Sequence, residues 1–322
     1  MQRKYILIFF STLFSVLGLL ALNSCQEEHR EDIPELPQLA NELPELKAQI
    51  ESADRQTHKK PSSKNLGKLG MIYYASNDYE RAAKCFELAI QENPEIWEWK
   101  YYQGSIHMEL GELTEAVAVM NKLTQSEPKL WMAWYRLGEI YQQMDSLKLA
   151  EEVLDKIIRL PAKGTKSNSQ FRSIEFPLQL YARIIRSKVY NSTNRAEMAE
   201  QDLKDICANH KTFGAAFRQL GMFYINKGEK NMGEVYQERA NDLRVFNFAT
   251  DTLMDRLSLI SRSEAYVLKQ IDNAMQGNDG KWSYELINQA HENMPNSKYV
   301  LSKAIRQYSS IGMGKQALPL LD

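Results

Sequence analysis

Apolar and small residues recur along this chain with a period of 34 residues. Within one period, apolar positions at three- and four-residue spacing predict two amphipathic helices, and a proline follows the second helix. In the period that begins at residue 63, Leu69 and Tyr73 lie on the first predicted helix, Phe86 lies on the second, and Pro94 follows it. A fixed period of this length predicts stacked helical hairpins rather than one globular core.

Small residues occupy the same two places in the first three periods. They are Gly70, Gly104 and Gly138 on the first helices and Ala82, Ala116 and Ala150 on the second helices. A side chain at the glycine would hold the two helices of a hairpin apart, and the alanine permits the same close approach from the other side. Each hairpin also has an apolar face that it cannot bury alone, so we expect neighbouring hairpins to stack.

The first period contains a nearly complete repeat signature. Its positions are Leu66, Leu69, Gly70, Tyr73, Ala82, Phe86, Ala89 and Pro94. This set resembles the signature of the tetratricopeptide repeat family. The second period departs from it, for example at His107 and Met120, and the third returns to it with Trp134, Gly138 and Tyr141. The resemblance implies an all-α superhelical solenoid of antiparallel helix pairs, whose concave groove is lined mainly by the first helix of each pair.

Weaker copies of the pattern divide the remaining chain. The predicted segments are a signal peptide at 1–24, a lipidated cysteine with a flexible acidic tether at 25–62 (including a possible short helix at 46–58), repeats 1–3 at 63–164, an insertion loop at 165–179, repeats 4 and 5 at 180–247, a connector at 248–263, and repeat-like units 6 and 7 at 264–322. The insertion is rich in serine and contains Pro177, which is typical of a loop. Repeats 6 and 7 rest on few matches, such as Ala290 and Tyr308.

The N-terminus has the pattern of a secretory signal. Arg3 and Lys4 precede an apolar run from 5 to 22, and small residues follow before Cys25. Residues 22–25 resemble the lipobox of bacterial lipoproteins, which implies that Cys25 is lipidated and becomes the first mature residue. The alternative is an uncleaved membrane-spanning helix, since 18 mostly apolar residues nearly span a bilayer. Serine, threonine and glycine within the run weaken that alternative.

The residues after the cysteine bear on the membrane that would hold the protein. Gln26 occupies the position directly after the cysteine. An aspartate there would resemble an inner-membrane retention signal, so the glutamine favours the outer membrane. The acidic residues between 27 and 35 resemble the surface-export signal of some Bacteroidota lipoproteins, or they form a solvated tether. We therefore expect a lipid-anchored protein of the bacterial cell envelope, most consistent with the outer membrane on its periplasmic or surface face.

Composition and motifs argue against several other classes of function. The chain has 40 basic and 41 acidic residues without a basic stripe, so we expect no nucleic-acid partner. The five histidines are scattered, and the chain has no nucleophile elbow, phosphate loop or dinucleotide fingerprint. Residues 277–280 have oxygen ligands suited to calcium but lie between predicted helices, which favours a turn. We predict no catalysis, no cofactor, no metal and no small-molecule substrate.

The two remaining cysteines, Cys85 and Cys207, belong to repeats 1 and 4. Because hairpins that are not neighbours in a solenoid do not meet, these cysteines cannot form a disulfide with each other. A lone cysteine is commonly buried. We therefore expect both thiols to be free and buried.

The position of each residue along the first helix of its repeat predicts which side chains face the groove. The candidate partner-binding residues are Met71, Tyr74, Tyr101, Met108, Tyr135, Glu139, Gln142, Tyr181, Arg218 and Met222. Tyrosine offers a large contact area with a polar tip, and methionine adapts to irregular partners. The alternative is that several of these tyrosines pack on the neighbouring helix and contact no partner.

Two functional hypotheses follow. The first is a non-enzymatic, membrane-anchored scaffold that binds a partner protein or peptide in the groove; on this hypothesis, alanine at Tyr101 and Tyr135 weakens partner capture without unfolding the array. The second is a glycan- or nutrient-binding uptake lipoprotein on a helical repeat framework. Its sugar would stack on an exposed tryptophan, namely Trp97, Trp99, Trp131 or Trp282.

Overall fold

The computed structural model describes residues 31–161, 176–243, 248–277 and 279–310, and within these ranges the chain forms 15 α-helices and no strand. The predicted all-α class is confirmed. The helices are α1 Pro44–Lys59, α2 Ser63–Tyr74, α3 Tyr79–Glu92, α4 Trp97–Glu109, α5 Leu113–Ser126, α6 Trp131–Gln143, α7 Leu147–Ile158, α8 Leu178–Ser192, α9 Ala196–Asn209, α10 Gly214–Asn226, α11 Lys230–Leu243, α12 Thr252–Ile260, α13 Glu264–Gln276, α14 Gly280–Asn293 and α15 Lys298–Ser310.

Consecutive helices from α2 to α11 form five antiparallel pairs, which are repeats 1 to 5, and α13 with α14 forms the sixth. In each of the first five pairs, one residue of the turn has a positive φ. These residues are Asn77, Gly111, Asp145, Asn194 and Gly228. Glycine, asparagine and aspartate are the residues that most readily adopt the left-handed conformation, so the turn chemistry is local and repeats with the helices.

The small residues of the pattern allow the close helix approach that the sequence predicts. A Cβ atom built on Gly104 would lie 2.7 Å from Cε of Met120, and one built on Gly138 would lie 2.7 Å from Cδ2 of Leu154. Both neighbours belong to the second helix of the same pair. Each glycine therefore lets one helix pack directly against a large side chain of the other.

The segment that follows repeat 5 lies on the concave face of the first repeats. The Tyr102 hydroxyl on α4 donates to the carbonyl oxygen of Leu253 at 3.1 Å. The Ser261 hydroxyl donates to the carbonyl oxygen of Ala75 at 2.7 Å, and the Gln49 amide on α1 donates to that of Ile260 at 2.8 Å. The connector expected at 248–263 thus contains helix α12, and the inner wall of repeats 1–3 is filled by the chain itself.

The described part of the predicted tether also lies against the array. Ile33 and Leu39 are buried, and the Arg81 guanidinium on α3 donates to the carbonyl oxygen of Glu35 at 2.8 Å. The short helix expected at 46–58 spans Pro44–Lys59. The predicted signal peptide, Cys25, residues 162–175 of the insertion region and residues 311–322 of repeat 7 lie outside the described residues.

Within the described ranges, no helix combines the length and the apolar character that crossing a bilayer requires.

Candidate partner-binding groove

A cavity of about 610 Å³ lies on the concave side of repeats 3 to 5. The first helices of these repeats, α6, α8 and α10, supply one wall with Tyr135, Ile184 and Met222 among its residues. The facing wall consists of Phe248, Ala249 and the C-terminal end of α13. We call this cavity the open groove. Its volume lies within the range of about 300–1,000 Å³ that is usual for ligand pockets.

The open groove combines exposed apolar side chains with an available cation. Met222 is 49% exposed and Phe248 is 79% exposed. Lys188 is also exposed, and its ammonium makes no hydrogen bond or ion pair with the part of the chain that the structure describes. Glu139, by contrast, is paired with the Arg136 guanidinium at 2.9 Å. Large apolar side chains exposed next to polar groups are typical of protein-interaction sites.

The concave face of repeats 1 to 3 is covered by residues 248–261, and we call this surface the covered groove. Its centre is the Asp251 carboxylate, which is buried. The Tyr101 hydroxyl donates a hydrogen bond to this carboxylate, and the Arg136 guanidinium donates another at 3.1 Å. The same carboxylate accepts from the backbone N–H groups of Leu253 and Met254 and so caps the N-terminus of α12.

Burial and the neighbouring charges change the proton affinities of these groups. Burial raises the pKa of Tyr101 well above its ordinary value, and the Asp251 carboxylate raises it further. Burial alone would lower the pKa of Arg136, but Glu139, Tyr101 and Asp251 raise it above its ordinary value. The guanidinium therefore stays charged and holds Asp251 to repeat 3.

Five of the ten predicted groove residues line the open groove, and the other five are buried or partly buried. Those that line the open groove are Tyr135, Glu139, Tyr181, Arg218 and Met222. Tyr101 lies fully buried beneath Asp251, Met71 and Tyr74 are also buried, and Met108 packs against the core. Gln142 is half-buried on α6. Because Tyr101 is part of the packed interior, replacing it by alanine would disturb the fold and would not test partner binding.

Sequence reasoning did not single out three residues that shape these surfaces: Arg136, Phe248 and Asp251. The role of Asp251 could have been predicted from the sequence, since an aspartate two residues before Leu253 and six before Leu257 is typical of the N-cap of an amphipathic helix. The roles of Arg136 and Phe248 could not, because they depend on a segment that lies more than 100 residues from α6 in sequence.

All four tryptophans that a sugar could stack on are buried or pack against the core. The Trp99 indole donates to the Ser63 hydroxyl at 3.0 Å and stacks on Phe86, with 6.0 Å between the ring centroids. Trp282 is buried, whereas Trp97 and Trp131 are half-buried and pack against the core. Trp99 and Trp282 therefore do not present an open ring face to a sugar.

The other candidate chemistry has a structural explanation. Cys85 and Cys207 are free and buried, as the sequence predicts, and burial raises the pKa of the Cys207 thiol to about 12. Asp279 in the stretch at 277–280 accepts a hydrogen bond from the backbone N–H of Trp282 and caps α14. Among the residues described, no group of three or more histidine, cysteine, aspartate or glutamate side chains is placed to hold a metal ion.

The architecture is a solenoid of stacked helix pairs, which is the fold of tetratricopeptide-repeat proteins. Family models described as tetratricopeptide repeat match residues 68–129 and 133–163. These ranges lie within repeats 1 to 3, so the chain contains tetratricopeptide repeats where the signature is strongest. No curated protein matches the chain.

Solved structures resemble the array at low sequence identity. A tetratricopeptide repeat protein from Parabacteroides merdae is 15% identical, with 81% of this chain and 92% of that chain covered and a TM-score of 0.52. MamA from Desulfovibrio magneticus is 17% identical over 56% of this chain and 94% of its own, with a TM-score of 0.46. YrrB, described as a protein with an unusual peptide-binding site, is 15% identical, with 60% of this chain and 93% of that chain covered and a TM-score of 0.44. The first of these similarities supports the fold alone.

Proposed function

We propose that this protein is a non-enzymatic, lipid-anchored scaffold of the bacterial cell envelope that binds a partner protein or peptide in the open groove. The open groove carries the proposal, because its apolar side chains and the exposed Lys188 side chain remain accessible while the chain fills the covered groove. An extended segment with aliphatic side chains and a carboxylate fits this combination. Partner binding needs no catalytic group.

The test compares two methionines of equal chemistry on neighbouring helices. Met222 on α10 lines the open groove and is 49% exposed, whereas Met232 on α11 is 46% exposed and lies outside the groove lining. Crosslinking in cells is followed by purification of the full chain and identification of the partners by mass spectrometry. We expect Met222→Arg to reduce the recovery of specific partners about fivefold or more, which corresponds to losing a contact worth roughly 1 kcal/mol.

Met232→Arg is the matched control, since it adds the same charge and removes the same side chain. Its partner recovery should equal that of the wild type. If Met222→Arg also recovers the same partners in the same amounts, the open groove is not the binding surface and the proposal fails. Both variants change exposed positions, so we expect their free energies of unfolding to stay within about 0.5 kcal/mol of the wild type.

The membrane anchor has a separate test at Cys25. The motif at 22–25 predicts that the wild type is lipidated and sediments with the membranes after cell lysis. In Cys25→Ser we expect the lipid label to be lost and the protein to leave the outer-membrane fraction of a density gradient. If the wild-type protein carries no lipid label, the predicted lipid anchor is wrong, whereas the prediction of partner binding in the open groove is unaffected.

A further inference from the structure

Helix α12 differs from the repeat helices around it, because it has no antiparallel partner in a hairpin. It is nine residues long and is flanked by the non-helical residues 248–251 and 261–263. Isolated helices shorter than about 12 residues are marginal in water. The helical conformation of α12 therefore depends on the surface against which it lies.

The contacts of α12 follow a consistent chemistry along its length. At its N-terminus the Asp251 carboxylate bonds to Tyr101 and Arg136. Along its buried face, Leu253 and Leu257 are 6% and 0% exposed. Apolar side chains four residues apart on one face, as in Leu253 and Leu257, are the spacing by which amphipathic helices bind grooves.

Polar contacts join α12 and its flanking residues to four elements of the N-terminal half, among them α1 through Gln49, and the Asn293 amide on α14 donates to the carbonyl oxygen of Leu259 at 3.2 Å. Tyr102 on α4 bonds to the backbone of Leu253, and Arg136 on α6 bonds to Asp251. At the other end, Ser261 bonds to the backbone of Ala75 after α2. These contacts span the first helices of repeats 1 to 3, which are the helices that line the concave groove in this architecture.

We propose that the covered groove is a binding site for short helices with an aspartate N-cap and that α12 is its resident ligand, which an equivalent segment supplied in trans can replace. This inference rests on the proposed function in one respect, namely that the concave face is the binding surface. Release of α12 would join the covered groove to the open groove and present one continuous surface from repeat 1 to repeat 5.

The resident helix competes with any segment in trans. If the covered groove is vacant in only a small fraction of molecules, the apparent Kd of an added peptide rises in inverse proportion to that fraction. Weakening α12 without altering the groove should therefore strengthen binding of the added peptide. Leu257 is suited to this purpose, because it belongs to α12 and is fully buried. Leu257→Ala leaves Tyr101 and Arg136 unchanged.

The experiment measures binding of a fluorescent peptide that copies residues 248–261 to the full chain. We expect the peptide to bind Leu257→Ala at least about tenfold more tightly than the wild type, since a buried leucine-to-alanine change weakens packing by more than that factor. The same peptide with asparagine in place of the aspartate should bind Leu257→Ala about tenfold more weakly, because it loses the charged partner of Arg136. The double variant Leu257→Ala with Arg136→Gln should also lose binding of the unchanged peptide.

Hydrogen exchange of the α12 amides shows whether α12 has left the covered groove, which is needed to interpret the peptide-binding measurement. In Leu257→Ala we expect these amides to exchange faster than those of α4 and α6, which shows that the segment has left its place. The proposal is overturned if α12 opens and the copied peptide still does not bind. It is equally overturned if α12 exchanges only together with α4 and α6, since the helix would then be an inseparable part of the fold.

No cellular partner takes part in this assay, so its failure differs from failure of the proposed function. Loss of peptide binding would leave the Met222→Arg comparison in the open groove intact. Conversely, unchanged partner recovery with Met222→Arg would leave the replacement of α12 open to measurement with the copied peptide.

Discussion

Single residues in this array are constrained by neighbours in the adjacent repeat as well as by their own hairpin. Gly67 on α2 faces Trp99 on α4, and a Cβ atom at position 67 would overlap the indole ring. The indole cannot easily move aside, because it bonds to Ser63 and stacks on Phe86. Because Gly67 has no side chain, the Trp99 indole of the next repeat can pack directly against its backbone.

We expect Gly67→Ala to lower the free energy of unfolding by about 1–3 kcal/mol, because the added methyl group overpacks a rigid contact. Urea unfolding followed by circular dichroism measures the change. Gly280→Ala is the control, since a Cβ atom there would have no neighbour within 4 Å, and its effect should stay within about 0.5 kcal/mol. If Gly67→Ala and the wild type have the same free energy of unfolding, the indole moves aside with little loss of stability, and the prediction is wrong.

The residue scale also shows what the pattern of the sequence can predict. The turn residues with positive φ, such as Asn77 and Asp145, are of the types that local turn chemistry favours, and they follow the repeat period. The packing of Trp99 on Gly67 could not be predicted from that period, because it depends on the exact spacing between two repeats. Trp99 was for this reason a candidate for sugar stacking, although it contributes to the core.

At the scale of elements, repeats 4 and 5 are joined by a cluster around Glu200 on α9. Its carboxylate bonds to Lys204 at 2.6 Å and to the Tyr224 hydroxyl of α10 at 2.8 Å, and Lys227 lies at 3.2 Å. The hydrogen bond from Lys204, followed by those from Tyr224 and Lys227, lowers the pKa of Glu200 from 4.5 to about 2. The ionised carboxylate thus stabilises α9 through Lys204 and the contact with repeat 5 through Tyr224 and Lys227.

This shift predicts a pH dependence with a defined sign. Because the pKa is lower in the folded protein, the stabilisation is fully present above about pH 4.5 and is lost as the pH falls toward 2. We expect Glu200→Gln to lower the free energy of unfolding on the order of 1 kcal/mol at pH 7, and this difference from the wild type should shrink at pH 3. Glu197→Gln on the exposed face of α9 is the control and should show a smaller difference at both pH values. A difference for Glu200→Gln that does not change with pH would contradict the assigned cause.

The helices of the repeats were accessible to sequence reasoning, whereas the position of α12 was not. A period of 34 residues specifies contacts between neighbouring helices, and α2 to α11 follow it. Asp251 and Arg136 are 115 residues apart, and no periodic pattern relates them. Half of the predicted groove residues line the open groove, while Tyr101 lies under a segment that the sequence identified as a connector.

At the scale of the whole molecule, contacts between distant segments change how the array should unfold. In an open solenoid each repeat contacts its neighbours, so stability is a sum of local terms. Here Ser261 bonds to Ala75 in the turn of repeat 1, and the Asn296 amide after α14 donates to Glu45 on α1 at 3.0 Å. The C-terminal helices are thereby tied to the N-terminal ones, and we expect the two ends to unfold together.

The Ser261 hydroxyl offers a direct test of this coupling, because it is buried and bonds to a backbone carbonyl of repeat 1. We expect Ser261→Ala to lower the free energy of unfolding by about 1–3 kcal/mol, since the carbonyl oxygen of Ala75 is left without that donor. In hydrogen exchange, α13 and α14 should then open more readily than α2 and α3, whereas in the wild type the two regions should open with similar free energies. Ser302→Ala, at an exposed position of α15, should alter neither measurement. If Ser261→Ala behaves like Ser302→Ala, the contact does not couple the two ends, and the array unfolds as a chain of neighbours.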